Sequence, residues 1–265
     1  MPKLSVTVIT RDEAANLAAA LESVAWADEI VVVDSESTDD TAAIARRFTE
    51  RVIVRPWPGY VAQKNHAADA AAHDWILSLD ADERVSPELA AEIRQLLQHE
   101  PAVAGYRVPR VTFHLGRWIR TTDWYPDYQL RLYDRRRGRW TGRHVHESVA
   151  VDGPAADLRG ELRHHAYRDL SHHLQTMDRY TTLAARQMHE DGRTAGWIDL
   201  ALHPPAAFLR NYLLRGGIRD GIPGLVISML NATYVALKFA KLWELCTHST
   251  STPPSPGAAD STRSS

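Results

Sequence analysis

Residues 75–83 read Trp75-Ile76-Leu77-Ser78-Leu79-Asp80-Ala81-Asp82-Glu83, a short apolar run that stops on three carboxylates. An almost unbroken apolar stretch of this length predicts a strand buried on both faces. Two more such runs lie upstream. Leu4–Thr10 (LSVTVIT) is rich in β-branched residues, and Glu29–Asp34 (EIVVVD) again ends on an acid. A shorter one covers residues 51–54. Between them, residues 13–24 and 60–72 have helical spacing or composition. Ser37 with Asp40 looks like a capping box opening a helix to about residue 48, and Ser86-Pro87 opens one to about residue 98. Strand alternating with helix at this spacing predicts a parallel sheet wrapped by helices. Right-handed crossovers put all carboxyl ends of its strands on one edge, where ligands of such sheets bind. Thr10-Arg11, Asp34-Ser35 and Asp80-Ala81-Asp82 therefore meet at the expected ligand edge.

Downstream the pattern changes. Short β-like runs at residues 105–111, 128–133 and 145–151 alternate with aromatic and arginine-rich stretches, which predicts an antiparallel insertion. Residues 171–189, 205–215 and 222–245 read as helices, and the Ser/Thr/Pro-rich tail at 247–265 is expected to be disordered.

The 265 residues can bury a sizeable core, and 44% hydrophobic with 24% charged residues is ordinary for a globular chain. The formal net charge of -2 gives no basic excess, so a nucleic-acid partner is not expected. The single cysteine, Cys246, cannot form an intrachain disulfide and suits a reducing compartment. The first apolar run is too short for the core of a signal peptide, so a cytoplasmic location is the expectation. Residues 221–237 carry no charge but include Pro223, Gly224, Ser228, Asn231 and Thr233. With Arg210, Arg215, Arg219, Lys238 and Lys241 on either side, the segment suits an amphipathic helix at a membrane surface better than a span. A helix packed on the domain is the other reading.

Two carboxylates separated by one small residue, Asp80 and Asp82, can hold a hard divalent cation, magnesium or manganese, that still accepts phosphate oxygens. Such a cation would neutralise a departing diphosphate. The hydroxyl-rich turn from Asp34 to Thr41 could hydrogen-bond a nucleobase and ribose, and Gln63-Lys64-Asn65 precedes the acidic strand. In the second half, His144-Val145-His146-Glu147 offers a general base at Glu147, with Asp127 and then Asp123 behind it. His146 could contact metal or phosphate, or be structural. The spacing is not that of an H-E-x-x-H zinc hydrolase. Arg131, Arg135, Arg136, Arg137, Arg139 and Arg143 could bind an acceptor phosphate, with Arg131 and Arg135 the leading pair, or form a solvated hairpin tip around Gly138. Trp118, Trp124, Tyr125 and Trp140 could stack on sugars or fill a core. The pairs His164-His165 and His172-His173 have no metal-binding spacing and receive no role.

Taken in order, ITRDEAANL (9–17), VVVDSESTDDT (31–41), QKNHA (63–67) and LSLDADE (77–83) resemble the nucleotide-binding half of family 2 glycosyltransferases, of GT-A fold. The resemblance implies a mostly parallel α/β sheet flanked by helices, a β-rich acceptor-side insertion and a helical C-terminal appendage. It implies that Thr10, Arg11, Asp12, Glu13 and Asp34 contact a uridine-type base and ribose. Lys64 or Asn65 would lie near the base or diphosphate, Asp80 would face the donor sugar or ribose, and Asp82 would ligate the metal. YQLRLYDRRRGRWTGRHVHESV (128–149), RYTTLAARQM (179–188) and residues 211–244 resemble bacterial lipopolysaccharide core transferases that add β-glucose to inner-core heptose. That branch implies UDP-glucose as donor, inversion at the anomeric carbon, and a lipid-linked oligosaccharide acceptor. It also implies peripheral work on the cytoplasmic face of the inner membrane. Residues 1–100 would then be the nucleotide-sugar part, 101–165 the acceptor and catalytic part, 166–246 the helical region and 247–265 the tail. A transferase for another envelope glycan, a sugar-nucleotide nucleotidyltransferase and a catalytically idle binding module stay open. The nucleotidyltransferase usually has a glycine-rich phosphate loop after its first strand, which ITRDEAANL lacks.

Overall fold

The structure, a computed structural model, describes residues 1–142 and 147–250. Four parallel strands form its first half: β1 (Leu4–Thr10), β2 (Glu29–Asp34), β3 (Val52–Val54) and β4 (Trp75–Asp80). Between them run helices α1 (Leu17–Glu22), α2 (Thr41–Ala45) and α3 (Tyr60–Ala70). After the acidic turn come β5 (Glu83–Val85), α4 (Pro87–Leu96), β6 (Gly105–His114), β7 (Arg117–Ile119) and β8 (Asp127–Asp134). The chain continues through β9 (Gly138–Thr141), β10 (Ser148–Val151), β11 (Ala155–Asp157) and β12 (Leu162–His164). It closes with α5 (Leu170–Glu190), α6 (Trp197–Leu209) and α7 (Ile222–Thr250). A wide π-type turn (Arg210–Leu214) and a 3-10 turn (Gly217–Asp220) join the last two helices.

Among the described residues the main sheet runs β3-β2-β1-β4-β8-β6-β12-β5, with β7 and β11 both paired to β6. The first four strands are parallel, and β8 joins β4 antiparallel through Trp75↔Asp134 and Leu77↔Leu132. The downstream strands thus extend the same sheet, while β9 and β10 form a separate antiparallel hairpin. The apolar runs fill both faces by strict alternation. Trp75, Leu77 and Leu79 pack with Leu17, Leu21 and Leu89 on one side, while Ile76, Val31 and Val33 pack with Ala67, Tyr133 and Trp140 on the other.

Helix starts follow local chemistry where it is strong. The Ser86 hydroxyl accepts from the Leu89 amide at 3.1 Å, and Pro87 fills the first turn. The capping box expected at Ser37 does not form. Its hydroxyl donates to Asp34 and accepts from the Asp12 amide, and the helix begins only at Thr41. The helix expected at 205–215 starts earlier, at Trp197, because Asp199 returns its carboxylate to the Gly196 amide at 2.9 Å. The last helix reaches Thr250, beyond the expected residue 245. Arg143, His144 and His146, and the tail from 251 to 265, lie outside the described residues.

Candidate functional site

The carboxyl ends of β1, β2 and β4 share one edge, and their loops are tied together there. The amides of Asp12, Glu13 and Ala14 donate to Ser37, Thr41 and Asp39, and the Thr38 amide donates back to Asp12. The hydroxyl-rich turn thus spends much of its polarity stitching two loops into one ledge. Asp34 is buried and accepts from both the amide and hydroxyl of Ser37. Thr10 is buried with its hydroxyl unbonded among the described residues, while Arg11 is exposed, its nearest acid Asp12 at 3.8 Å. Burial raises the Glu13 carboxyl above its ordinary range; the hydrogen bond from Asn16 works against this, and the nearby Asp82 and Asp39 charges reinforce it.

Asp80 ends β4 between two buried cations. Its Oδ1 lies 3.0 Å from Lys64 Nζ and its Oδ2 2.8 Å from Arg131 Nη2. Burial alone would raise its carboxyl, but those two charges overcome that and hold it well below the usual range. Both cations sit over the Trp140 ring, Lys64 at 4.1 Å and Arg131 at 5.5 Å from its centroid. Underneath, the fully buried Glu83 accepts from the Asp80 amide (3.0 Å), Arg131 (2.7 Å) and Arg110 (3.2 Å). The third carboxylate of the motif is therefore the keystone of its turn. Sequence reasoning assigned it no role.

Asp82 points elsewhere. Its Oδ2 lies 3.2 Å from His164 Nε2, because β12 pairs antiparallel with β5 and brings His164 opposite Glu83. Burial opposes ionisation of Asp82, yet His164 keeps its carboxyl below the ordinary value. A carboxylate and an imidazole bound to one cation at about 2.1 Å each would stand about 3 Å apart, so the observed spacing fits a shared divalent ion. Among the described residues no cluster of three or more His, Cys, Asp or Glu side chains could hold a metal. Asp82 and His164 could supply two ligands to such an ion, with phosphate and water oxygens as the rest, as magnesium commonly requires. Asp80, expected as a second ligand, has both oxygens committed to cations. His164, expected to be idle, stands beside Asp82; only strand pairing 82 residues away in sequence reveals it.

Glu147 lies on the same side, with Oε1 3.8 Å from Lys64 Nζ. Its Oε2 is buried and has no hydrogen-bond partner among the described residues. Asp127 differs: Arg110 donates twice to its Oδ2 and Gln129 once to its Oδ1. Asp123 is bound by Arg210 and Arg215 of the C-terminal region. Of the three expected base candidates, Glu147 alone keeps an oxygen without a partner among the described residues.

Other expectations are corrected by the packing. Asn65 accepts from the Trp140 amide and donates to its carbonyl (3.0 and 2.9 Å), which clamps α3 to β9. Arg131 is interior, and Arg135 donates to the carbonyls of Ala68 and Ala71 at the end of α3, so neither faces an acceptor phosphate. Arg136 is held by Asp134 and Asp74, and Arg139 by Asp69. Trp140 is buried, while Trp118 and Trp124 join internal ring clusters with His165 and with His114, Tyr167 and His173. Sequence reasoning also missed Tyr60 and Tyr180. Burial pushes the Tyr60 phenol up to about 12 and raises Tyr180, and the charges of Glu147 and Asp80 add to both. Helix α5 thus brings Tyr180 to the rim of the acidic site. Beside that rim, past Tyr60, opens a cleft of about 810 Å³ lined by Gly59, His66, Arg139, Leu183 and Arg55. It adjoins the acids rather than containing them.

A family model described as glycosyl transferase family 2 matches residues 5–151. The lipopolysaccharide core biosynthesis glycosyltransferase LpsC of Rhizobium meliloti is 32% identical over 253 residues, covering 92% of this chain and 94% of that protein. An uncharacterized glycosyltransferase of Rickettsia felis is 31% identical over 259 residues, covering 92% and 90%. Among solved structures, the mannosyltransferase PcManGT from Pyrobaculum calidifontis, described in complex with GDP-Man and Mn2+, aligns with a TM-score of 0.56. That alignment covers 92% of this chain and 88% of that one at 18% identity, a likeness of fold.

Proposed function

The chain belongs to glycosyl transferase family 2, and from that premise we propose that it transfers glucose from UDP-glucose, with inversion, to a heptose of a lipid-linked lipopolysaccharide core acceptor. Its sheet has the GT-A architecture. The similarity to LpsC along nearly the whole of both chains supports the lipopolysaccharide acceptor. On this reading the work is done at the cytoplasmic face of the inner membrane. Residues 1–100 hold the donor, 101–165 meet the acceptor, and the helices from 166 onward close the acceptor side.

The observation that carries the mechanism is the buried Oε2 of Glu147, unpartnered among the described residues, beside the Asp80–Lys64 pair. An acceptor hydroxyl placed against it yields its proton to the carboxylate as its oxygen bonds the anomeric carbon. The bond from that carbon to the diphosphate breaks, and UDP leaves with the electron pair. A divalent cation held by Asp82 and His164 would neutralise charge on the diphosphate. Lys64 and Arg131 hold Asp80 ionised and fixed in direction, where it can accept from hydroxyls of the donor sugar or ribose. Arg55 in the neighbouring cleft takes the place of Arg131 and Arg135 as a contact for an acceptor phosphate.

The test is UDP release from UDP-glucose with manganese or magnesium, with and without a heptose-containing acceptor. Glu147→Gln should bind the donor normally and lose transfer by roughly 10²- to 10⁴-fold, the usual value of a general base. Asp82→Ala should lose the metal-dependent part of donor binding in calorimetry. Wild-type transfer by the Glu147 variant would move the base elsewhere. Failure of the wild type to bind any nucleotide sugar with metal present would sink the reading as a whole.

A further inference from the structure

Many of the most exposed apolar side chains lie on α6, α7 and the turns that join them. Along α6 and its π-type turn, Leu202, Leu209 and Leu213 are exposed at helical spacing. Along α7, Ile222, Leu225 and Met229 repeat the spacing. The stacking of His203 on Phe239 at 4.9 Å holds the two helices side by side. Leu214 at the junction is 82% exposed, Ile222 is 78% and Trp197 is 76%. Solvent gives no reason for two parallel apolar stripes to remain uncovered on a folded domain.

The charges indicate what covers them. Between residues 200 and 243 the chain has Arg210, Arg215, Arg219, Lys238 and Lys241 but one acid, Asp220. That acid is buried and paired with Arg117. Arg210 and Arg215 share the one carboxylate of Asp123 and Arg219 is exposed beside them, so the end of the hairpin carries net positive charge, which suits anionic lipid headgroups. Helix α7 is long and apolar enough to cross a bilayer by composition alone. Its second half is nonetheless committed to the protein: Phe239 and Leu242 are buried against Ala185 and Met188, and the Lys241 ammonium donates to Asp178, Thr181 and Thr182. Crossing would break these contacts, whereas the face of its first half that carries Ile222, Leu225 and Met229 is free to meet lipid.

We propose that the end of the α6–α7 hairpin is a monotopic docking face that enters the headgroup and upper acyl region of an anionic membrane. Leu214 and Ile222 lead the insertion, and Arg210, Arg215 and Arg219 lie at the phosphate level. The surface makes sense of a lipid-linked acceptor and in that respect rests on the function proposed above, but its test does not require sugar transfer. The full chain is sedimented with vesicles of phosphatidylethanolamine and phosphatidylglycerol, and separately with phosphatidylcholine alone. The wild type should sediment with the anionic vesicles, less so in high salt, and weakly with the neutral ones. The double variant Leu214→Glu with Ile222→Glu should lose binding by on the order of tenfold or more, with an unchanged melting temperature and unchanged donor binding. Equal sedimentation of variant and wild type overturns the proposal. So does a wild type that ignores vesicles and forms a dimer broken by the same substitutions, because a second copy would then be the occupant. Loss of the lipopolysaccharide reading with vesicle binding intact would leave the docking face standing.

Discussion

At the scale of single residues, the acidic motif divides into three roles. Asp80 is held between cations, Asp82 faces His164 across the sheet edge, and Glu83 sits beneath both. Glu83 is the most consequential for folding, since Arg131 and Arg110 both depend on it for neutralisation in the interior. Replacing it with Gln keeps the shape but leaves buried guanidinium charge short of a partner. We expect Glu83→Gln to lower unfolding free energy by about 3 kcal/mol, the usual cost of breaking a buried pair from one side. Urea denaturation checks this; a loss below about 1 kcal/mol would mean that water reaches the pair and screens it.

At the scale of elements, the joint between α5 and β6 sets a pH dependence. His173 of α5 is buried with its Nδ1 3.1 Å from His114 Nε2 of β6, and the Tyr167 ring stacks on it at 4.1 Å. Burial chiefly, then the charges of His114 and His172, push its pKa from 6.5 down to about 4. Above about pH 6.5 the imidazole is neutral folded or unfolded, and the joint contributes fully. Between the two values the unfolded chain binds the extra proton, so stability rises with pH there and is lost as pH falls toward 4. Thermal melts from pH 7 to 4 should show this decline, and His173→Phe should flatten part of it. An identical slope in the variant would place the titration elsewhere.

At the scale of the molecule, the donor edge is assembled from loops after three strands, and the C-terminal helices reach its rim through Tyr180. A nucleotide sugar should therefore act as a clasp on several segments together. With metal present, hydrogen exchange should slow jointly at residues 11–14, 35–38 and 81–83. At a hundredfold excess over Kd the donor should add about 2.7 kcal/mol of stability. Protection confined to one of these loops would contradict a single shared site.

The sequence by itself determined the parallel half of the sheet and the acids at the carboxyl ends of its strands. These depend on local signals: buried apolar runs, strand ends and short motifs, each readable within about ten residues. Tertiary structure decided which polar groups are still available for chemistry. Arg131, Arg135 and Asn65 are of types suited to ligands, yet each is used inside the fold by partners 48 to 75 residues away. His164 has no informative neighbours in sequence and gains its place through the β5–β12 pairing alone. The physical reason is that a hydrogen-bonding group is defined by what remains unsatisfied after folding. That remainder depends on long-range pairing, which no local pattern encodes.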